Sequence, residues 1–422
     1  MNHLQRAVTA PATPPVAQQL PGVTRSAGTS WRYPADLGSR DLRIDFLRGL
    51  AIVFVVVDHI HLESLFYIIS HERIGAISGA ELFVLLSGVV LGMVHQRRIQ
   101  KSGWLDSAQR MWSRARLLYV VSLVVVFAAY LLSKVPFLDG EVLTTWTDAT
   151  TGQTYSMYGS TAELAEMPVP PAAVRDVLFL NVGPYQFNVM GLYVGLLLLA
   201  PFAMWLLTRG RWWVLMGVSL AIYVMNFFLE WRVAASSFEN PFPLLSWQLP
   251  FMAGLTIGYY QDQIRQWFAG PAGKTAAVLA WAAFIVFLFF TWNSPGKLGD
   301  PLSLRLDLIP DATFWSIYRE GFLRDFLGPL RVLNLVVAVI ALYGLLTRFW
   351  TPAYRLLGWF LVPLGGATLY VFILHVVFAL IVSSLPINEH DSLVVGTMTH
   401  VVILALLWLM VKSSFLFRWI PR

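Results

Sequence analysis

Apolar stretches of 17 or more residues recur from Phe46 to the C-terminus. Each is long enough to cross a hydrocarbon core about 30 Å thick. The 422 residues are 57% hydrophobic and 13% charged, where soluble domains carry about 25% charged residues. A chain this apolar aggregates in water, so membrane insertion is the economical reading. The expected fold class is an all-α, polytopic integral membrane protein with about ten transmembrane helices.

The net charge of +6 is not a nucleic-acid signature, because the basic residues sit in short clusters between apolar runs, as orientation signals do. No nucleic-acid partner is expected; the lipid bilayer is the partner composition implies. The absence of cysteine excludes disulfides, a thiolate nucleophile and cysteine-based metal sites. No metal site is assigned.

Residues 1–40 are rich in Pro, Ala, Thr and Ser and lack the apolar core of a signal peptide. They read as a flexible cytoplasmic tail, leaving 41–422 as one transmembrane domain. Within it the expected spans are roughly 44–66, 77–95, 116–133, 186–207, 212–230, 245–261, 274–292, 331–347, 367–385 and 392–411. Region 353–367 is the hardest to assign, because Pro363 and two glycines interrupt it. Cations such as Arg97, Arg98, Lys101, Arg110, Arg114 and Arg265 concentrate in alternate connections, and acids such as Glu141, Asp148, Asp300 and Asp307 in the others. By the positive-inside rule both termini are cytoplasmic, and the long segments 134–185 and 293–330 lie outside. Loops of that length are usually functional or carry structure of their own.

The first span places Asp58, His59 and His61 after an apolar run. Ionisable groups at that depth are costly, so they belong toward the protein interior or a wet cavity. Arg48 and His59 are eleven residues apart, about three helical turns, which sets both on one stripe roughly 16 Å apart. That suits an extended donor with phosphates near Arg48 and its reactive end at His59. Arg48 has the alternative of snorkelling to the surface. Imidazole suits acyl transfer because it takes a hydroxyl proton and later returns one. A nucleophilic histidine is the other option, general base the simpler. Asp58 and His59 point about 100° apart on a helix, whereas Asp58 and His61 are better placed to share a face. Either can support the base.

The stretch RIDFLRGLAIVFVVVDH from Arg43 to His59, followed by ELFVLLSG from Glu81 to Gly88, resembles the OpgC family of osmoregulated periplasmic glucan succinyltransferases. It is also similar to the wider membrane acyltransferase superfamily marked by Arg, ten residues, then His. The likeness continues through WQLPFMAG from Trp247, LGPLRVLN from Leu327 and YVFILH ending at His375. The resemblance implies a bacterial inner-membrane enzyme with no permanently bound cofactor. It would move a succinyl group from cytoplasmic succinyl-coenzyme A, its acyl-CoA donor, to hydroxyls of a periplasmic glucan acceptor. The matched motifs add candidates. Glu81 either positions a sugar hydroxyl or pairs with an Arg or His. Gln248 bonds a ligand or a neighbouring helix. Arg331, and secondarily Arg324, grips the free carboxylate of a succinyl group or anchors at the interface. His375 lies deep in the ninth span. The rival reading is a transporter or flippase of a polar solute, because intramembrane ionisable groups also mark transport paths. Oligomeric state is not legible.

Overall fold

The computed structural model of the chain describes residues 31–34, 40–147, 154–158, 171–234, 236–295, 304–387 and 392–421. The fold is mostly helical. In chain order the helices are α1 (Leu42–His59), α2 (Gly79–Leu132), α3 (Glu141–Thr144), α4 (Pro171–Leu178), α5 (Val189–Thr208), α6 (Trp212–Leu229), α7 (Leu244–Tyr259) and α8 (Gln261–Ala269). They continue as α9 (Pro271–Thr291), α10 (Asp311–Gly321), α11 (Pro329–Arg348), α12 (Trp350–Ala353), α13 (Trp359–Gly366), α14 (Thr368–Ser383) and α15 (Leu393–Lys412). A short antiparallel hairpin, β1 (Thr145–Thr147) with β2 (Thr154–Ser156), pairs Trp146 with Tyr155 inside the expected outer segment 134–185. The second such segment, 293–330, carries α10.

Among the described residues six helices are long and apolar enough to cross a membrane, or seven if a bent pair counts as one span. The expected count of about ten is therefore not confirmed. Two differences have plain causes. The expected second and third spans both lie in α2, whose two helical halves meet at Gly103 (φ 80°, ψ 172°), where the chain folds back so that His95 Nδ1 comes 2.7 Å from Ser107 Oγ. The connection expected over 96–115 is thus mostly helical rather than a loop. The 18 residues of α1 include Arg43, Asp45, Arg48 and Asp58, more charge than a lipid-facing helix carries. The expected tail over 1–40 falls mostly outside the described residues. Residues 31–34 within it are docked, with the Tyr33 amide donating to the Thr347 carbonyl (3.0 Å) and the Thr351 amide to that of Trp31 (3.1 Å).

Burial explains how α1 carries its charge. Most of its residues are buried, and it packs against α2, α11, α13, α14 and α15, so its polar side chains meet protein, not lipid. The apolar side chains left exposed lie on outer helices, among them Phe228 on α6, Val278 and Val286 on α9, and Val394 and Val402 on α15. A continuous apolar exterior of this kind is a lipid-facing surface.

Without a hydrophobic drive between helices in lipid, close backbone approach takes over, and small residues permit it. Gly88-Val-Val-Leu-Gly92 on α2 faces Gly254-Leu-Thr-Ile-Gly258 on α7. A Cβ at Gly88 would stand 2.3 Å from the Phe251 carbonyl oxygen, and one at Gly258 2.0 Å from that of Val89. Gly254→Val is expected to force the helices apart at a cost of about 1–3 kcal/mol or more. The check is a lower melting temperature of the detergent-solubilised protein. An unchanged one would show that this contact tolerates a wider crossing.

The same device seats α1 on α13. A Cβ at Gly49 would lie 2.1 Å from the Leu361 carbonyl oxygen, and one at Gly365 1.8 Å from that of Asp45. Region 353–367 resolves into a π-helical turn (Tyr354–Gly358) and α13, followed by a 92° bend at Ala367 into α14.

Candidate functional site

Two helices build the site. Asp41 caps α1 by accepting from the Arg43 amide (3.1 Å), and α1 ends at His59, where Ile60 turns extended. The bend at Ala367 starts α14 at Thr368, level with Arg48, and His375 follows seven residues later. Arg48 faces Thr368 and His59 faces His375, so α14 runs beside α1 in the same direction.

The Arg48 guanidinium donates to Thr368 Oγ1 (2.6 Å) and lies 3.8 Å from Asp45. Its Nε is buried with no hydrogen-bond partner. Tyr193, which donates to Ser87 Oγ (3.1 Å), stands within electrostatic reach. Arg48 thus keeps unspent donor capacity at a buried position, which favours an anion more than simple snorkelling does.

At the other end His59 Nδ1 lies 2.8 Å from His375 Nε2, and His375 Nδ1 lies 2.5 Å from the Phe372 carbonyl oxygen. A carbonyl oxygen only accepts, so His375 Nδ1 carries a proton. In neutral His375 the Nε2 then accepts, and the proton in the His–His bond belongs to His59 Nδ1. The remaining lone pair falls on His59 Nε2, the atom a general base uses. The rings stack at 5.0 Å. Phe372 packs beside His375 (4.8 Å) and Phe187 beside Phe372 (5.3 Å), which holds the relay in an apolar wall.

Neither expected helper orients His59. Asp58 turns to His71, with Nδ1 3.2 Å from its carboxylate. His61 lies beyond the end of α1, exposed, where its Nε2 meets the Tyr185 hydroxyl at 3.0 Å. The helix stops at His59, so the shared face expected for residues 58 and 61 does not form. Tyr185 also sets its ring edge against His59 at 5.9 Å.

Three expected ligand contacts are instead bonded within the protein. Gln248 accepts from Ser219 Oγ (2.6 Å) and donates to the Ser219 carbonyl (2.8 Å), tying α7 to α6. Glu81 accepts from the Ser78 amide (2.9 Å) and hydroxyl, closing a capping box at the start of α2. It also binds Arg331 at 2.7 Å, so its pairing alternative is the one the fold adopts. Arg331 is fully buried and donates to Glu81, to Glu72 (2.6 Å), to the Phe322 carbonyl (2.7 Å) and to the Tyr318 hydroxyl (3.1 Å). A succinyl carboxylate would have to displace two protein carboxylates from it. Arg324 differs. It is exposed, lies over the Phe242 ring at 5.7 Å, and its charge acts on Asp58 and His59.

Sequence reasoning passed over Thr368, Tyr185, Glu72 and Tyr318. Thr368 alone carried a signal, in the Gly-Gly-Ala-Thr break ahead of an apolar run that ends on a histidine.

No curated protein and no solved structure matches the chain significantly. The family model described as OpgC protein matches residues 40–419, and this family assignment supports a glucan acyltransferase role of the OpgC type. Because the match runs from ahead of α1 to beyond α15 and takes in Arg48, His59, Thr368 and His375, the chain belongs to the OpgC family.

Proposed function

We propose that this chain is an acyl-CoA-dependent O-acyltransferase of the bacterial inner membrane, moving a succinyl group from cytoplasmic succinyl-coenzyme A to hydroxyls of a periplasmic glucan. The observation that carries the reading is the hydrogen-bonded chain from the Phe372 carbonyl through His375 to His59, which leaves His59 Nε2 as a base at one end of a buried helix while Arg48 waits near the other. The donor lies along α1 with its phosphates toward Arg48 and its thioester at His59. His59 Nε2 takes the proton of the glucan hydroxyl as that oxygen attacks the thioester carbon. Collapse of the tetrahedral intermediate breaks the carbon–sulfur bond, and the leaving thiolate takes the proton back from His59. Both termini are cytoplasmic in this arrangement, and no cofactor is held permanently.

Mass spectrometry of periplasmic glucans from cells with and without the protein tests this directly. The expected result is loss of succinyl increments when it is absent. Loss of acetyl increments instead would overturn the donor. Unmodified export changes, with no substituent lost, would favour a transporter or flippase.

A further inference from the structure

We infer that Arg324 is the residue that recognises the distal carboxylate of the acyl group, and that Arg331 is not. The inference rests on reading the donor as succinyl-coenzyme A. With the coenzyme toward Arg48 and the thioester at His59, the free carboxylate sits two methylenes beyond the thioester carbon. It therefore points past His59, toward the end of the bundle where Arg324 stands.

A residue that grips this carboxylate needs a guanidinium with donors to spare, and the two arginines differ in that respect. Arg331 spends its donors on Glu72, Glu81, Phe322 and Tyr318 and is fully buried. In doing so it offsets one of the two glutamate charges and satisfies oxygens of both. Asp58 faces His71. Arg324 is exposed and forms no ion pair or hydrogen bond among the described residues, yet its charge reaches Asp58, His59 and Glu81. The Arg324 guanidinium lies over the Phe242 ring at 5.7 Å, and a guanidinium with free donors can make a two-pronged bond with a carboxylate.

The test compares succinyl-CoA with butyryl-CoA, a four-carbon donor that places a methyl group where succinyl has its carboxylate. Turnover and displacement binding of both donors are measured for the wild type, Arg324→Ala and Arg324→Lys. The succinyl-to-butyryl ratio of kcat/KM is expected to fall roughly 10- to 100-fold in Arg324→Ala, the size of a lost charge-assisted hydrogen bond. Arg324→Lys is expected to recover part of it, since a point charge replaces a fork. An unchanged ratio would overturn the inference, because interfacial anchoring or glucan binding by Arg324 would weaken both donors alike. A wild-type protein that transfers other acyl groups and not succinyl would overturn the donor reading itself, an outcome distinct from an unchanged ratio in a protein that does succinylate.

Discussion

His59→Ala is expected to lower kcat for acyl transfer by about 10²–10⁴-fold while the purified protein still binds coenzyme A. The proton acceptor acts mainly in the transition state, so its removal leaves ground-state binding nearly intact. His375→Ala extends the test to the relay. Without His375 Nε2 to accept from His59 Nδ1, nothing selects the tautomer with its lone pair on Nε2, and kcat is expected to fall with little change in donor KM. Arg48→Ala should behave oppositely, raising donor KM and recovering in part at high donor concentration. Each variant is first checked for normal accumulation in membranes, since Arg48 and His375 are both packed within the helices. Wild-type turnover by His59→Ala would end the general-base mechanism. Unchanged donor binding by Arg48→Ala would remove only the anion clamp.

Arg331→Ala is expected to fail earlier, at folding. The substitution strands Glu72 and Glu81 without their cation, and Glu81 is fully buried. Breaking a buried pair by removing one partner costs about 3–5 kcal/mol, a large share of the roughly 5–15 kcal/mol that holds a domain together. The measurement is the yield of detergent-stable protein and its melting temperature. Adding Glu81→Gln to Arg331→Ala removes one stranded charge and is expected to recover part of the loss. A ligand-binding arginine would show no such rescue. An Arg331→Ala protein that accumulates and melts like the wild type would show that the network with Glu72, Glu81 and Tyr318 does not brace α10 and α11 against α2.

Several features of this protein were legible without coordinates. Recurrent apolar runs oblige helices in lipid, since a bilayer offers the backbone no other partner. The eleven-residue interval from Arg48 to His59 sets both on one stripe, because helical periodicity is local and needs no neighbour. The motifs from Arg43 onward pointed to the OpgC family, which the match over 40–419 bears out.

Tertiary structure decided the partners. Periodicity states which residues share a face but not which helix lies across it, and the residue across from His59 is His375, 316 positions away. Arg324 and Arg331 look alike as sequence, both close to the start of α11. Burial against Glu72 and Glu81 makes one a brace, while exposure beside Asp58 and His59 frees the other. Gln248 reads equally as ligand contact or helix tie until Ser219 is found against it. The bend at Ala367 brings Thr368 to Arg48, next to the close backbone approach of Gly365 to Asp45. Such contacts depend on how helices distant in sequence approach one another, and local pattern carries no record of that.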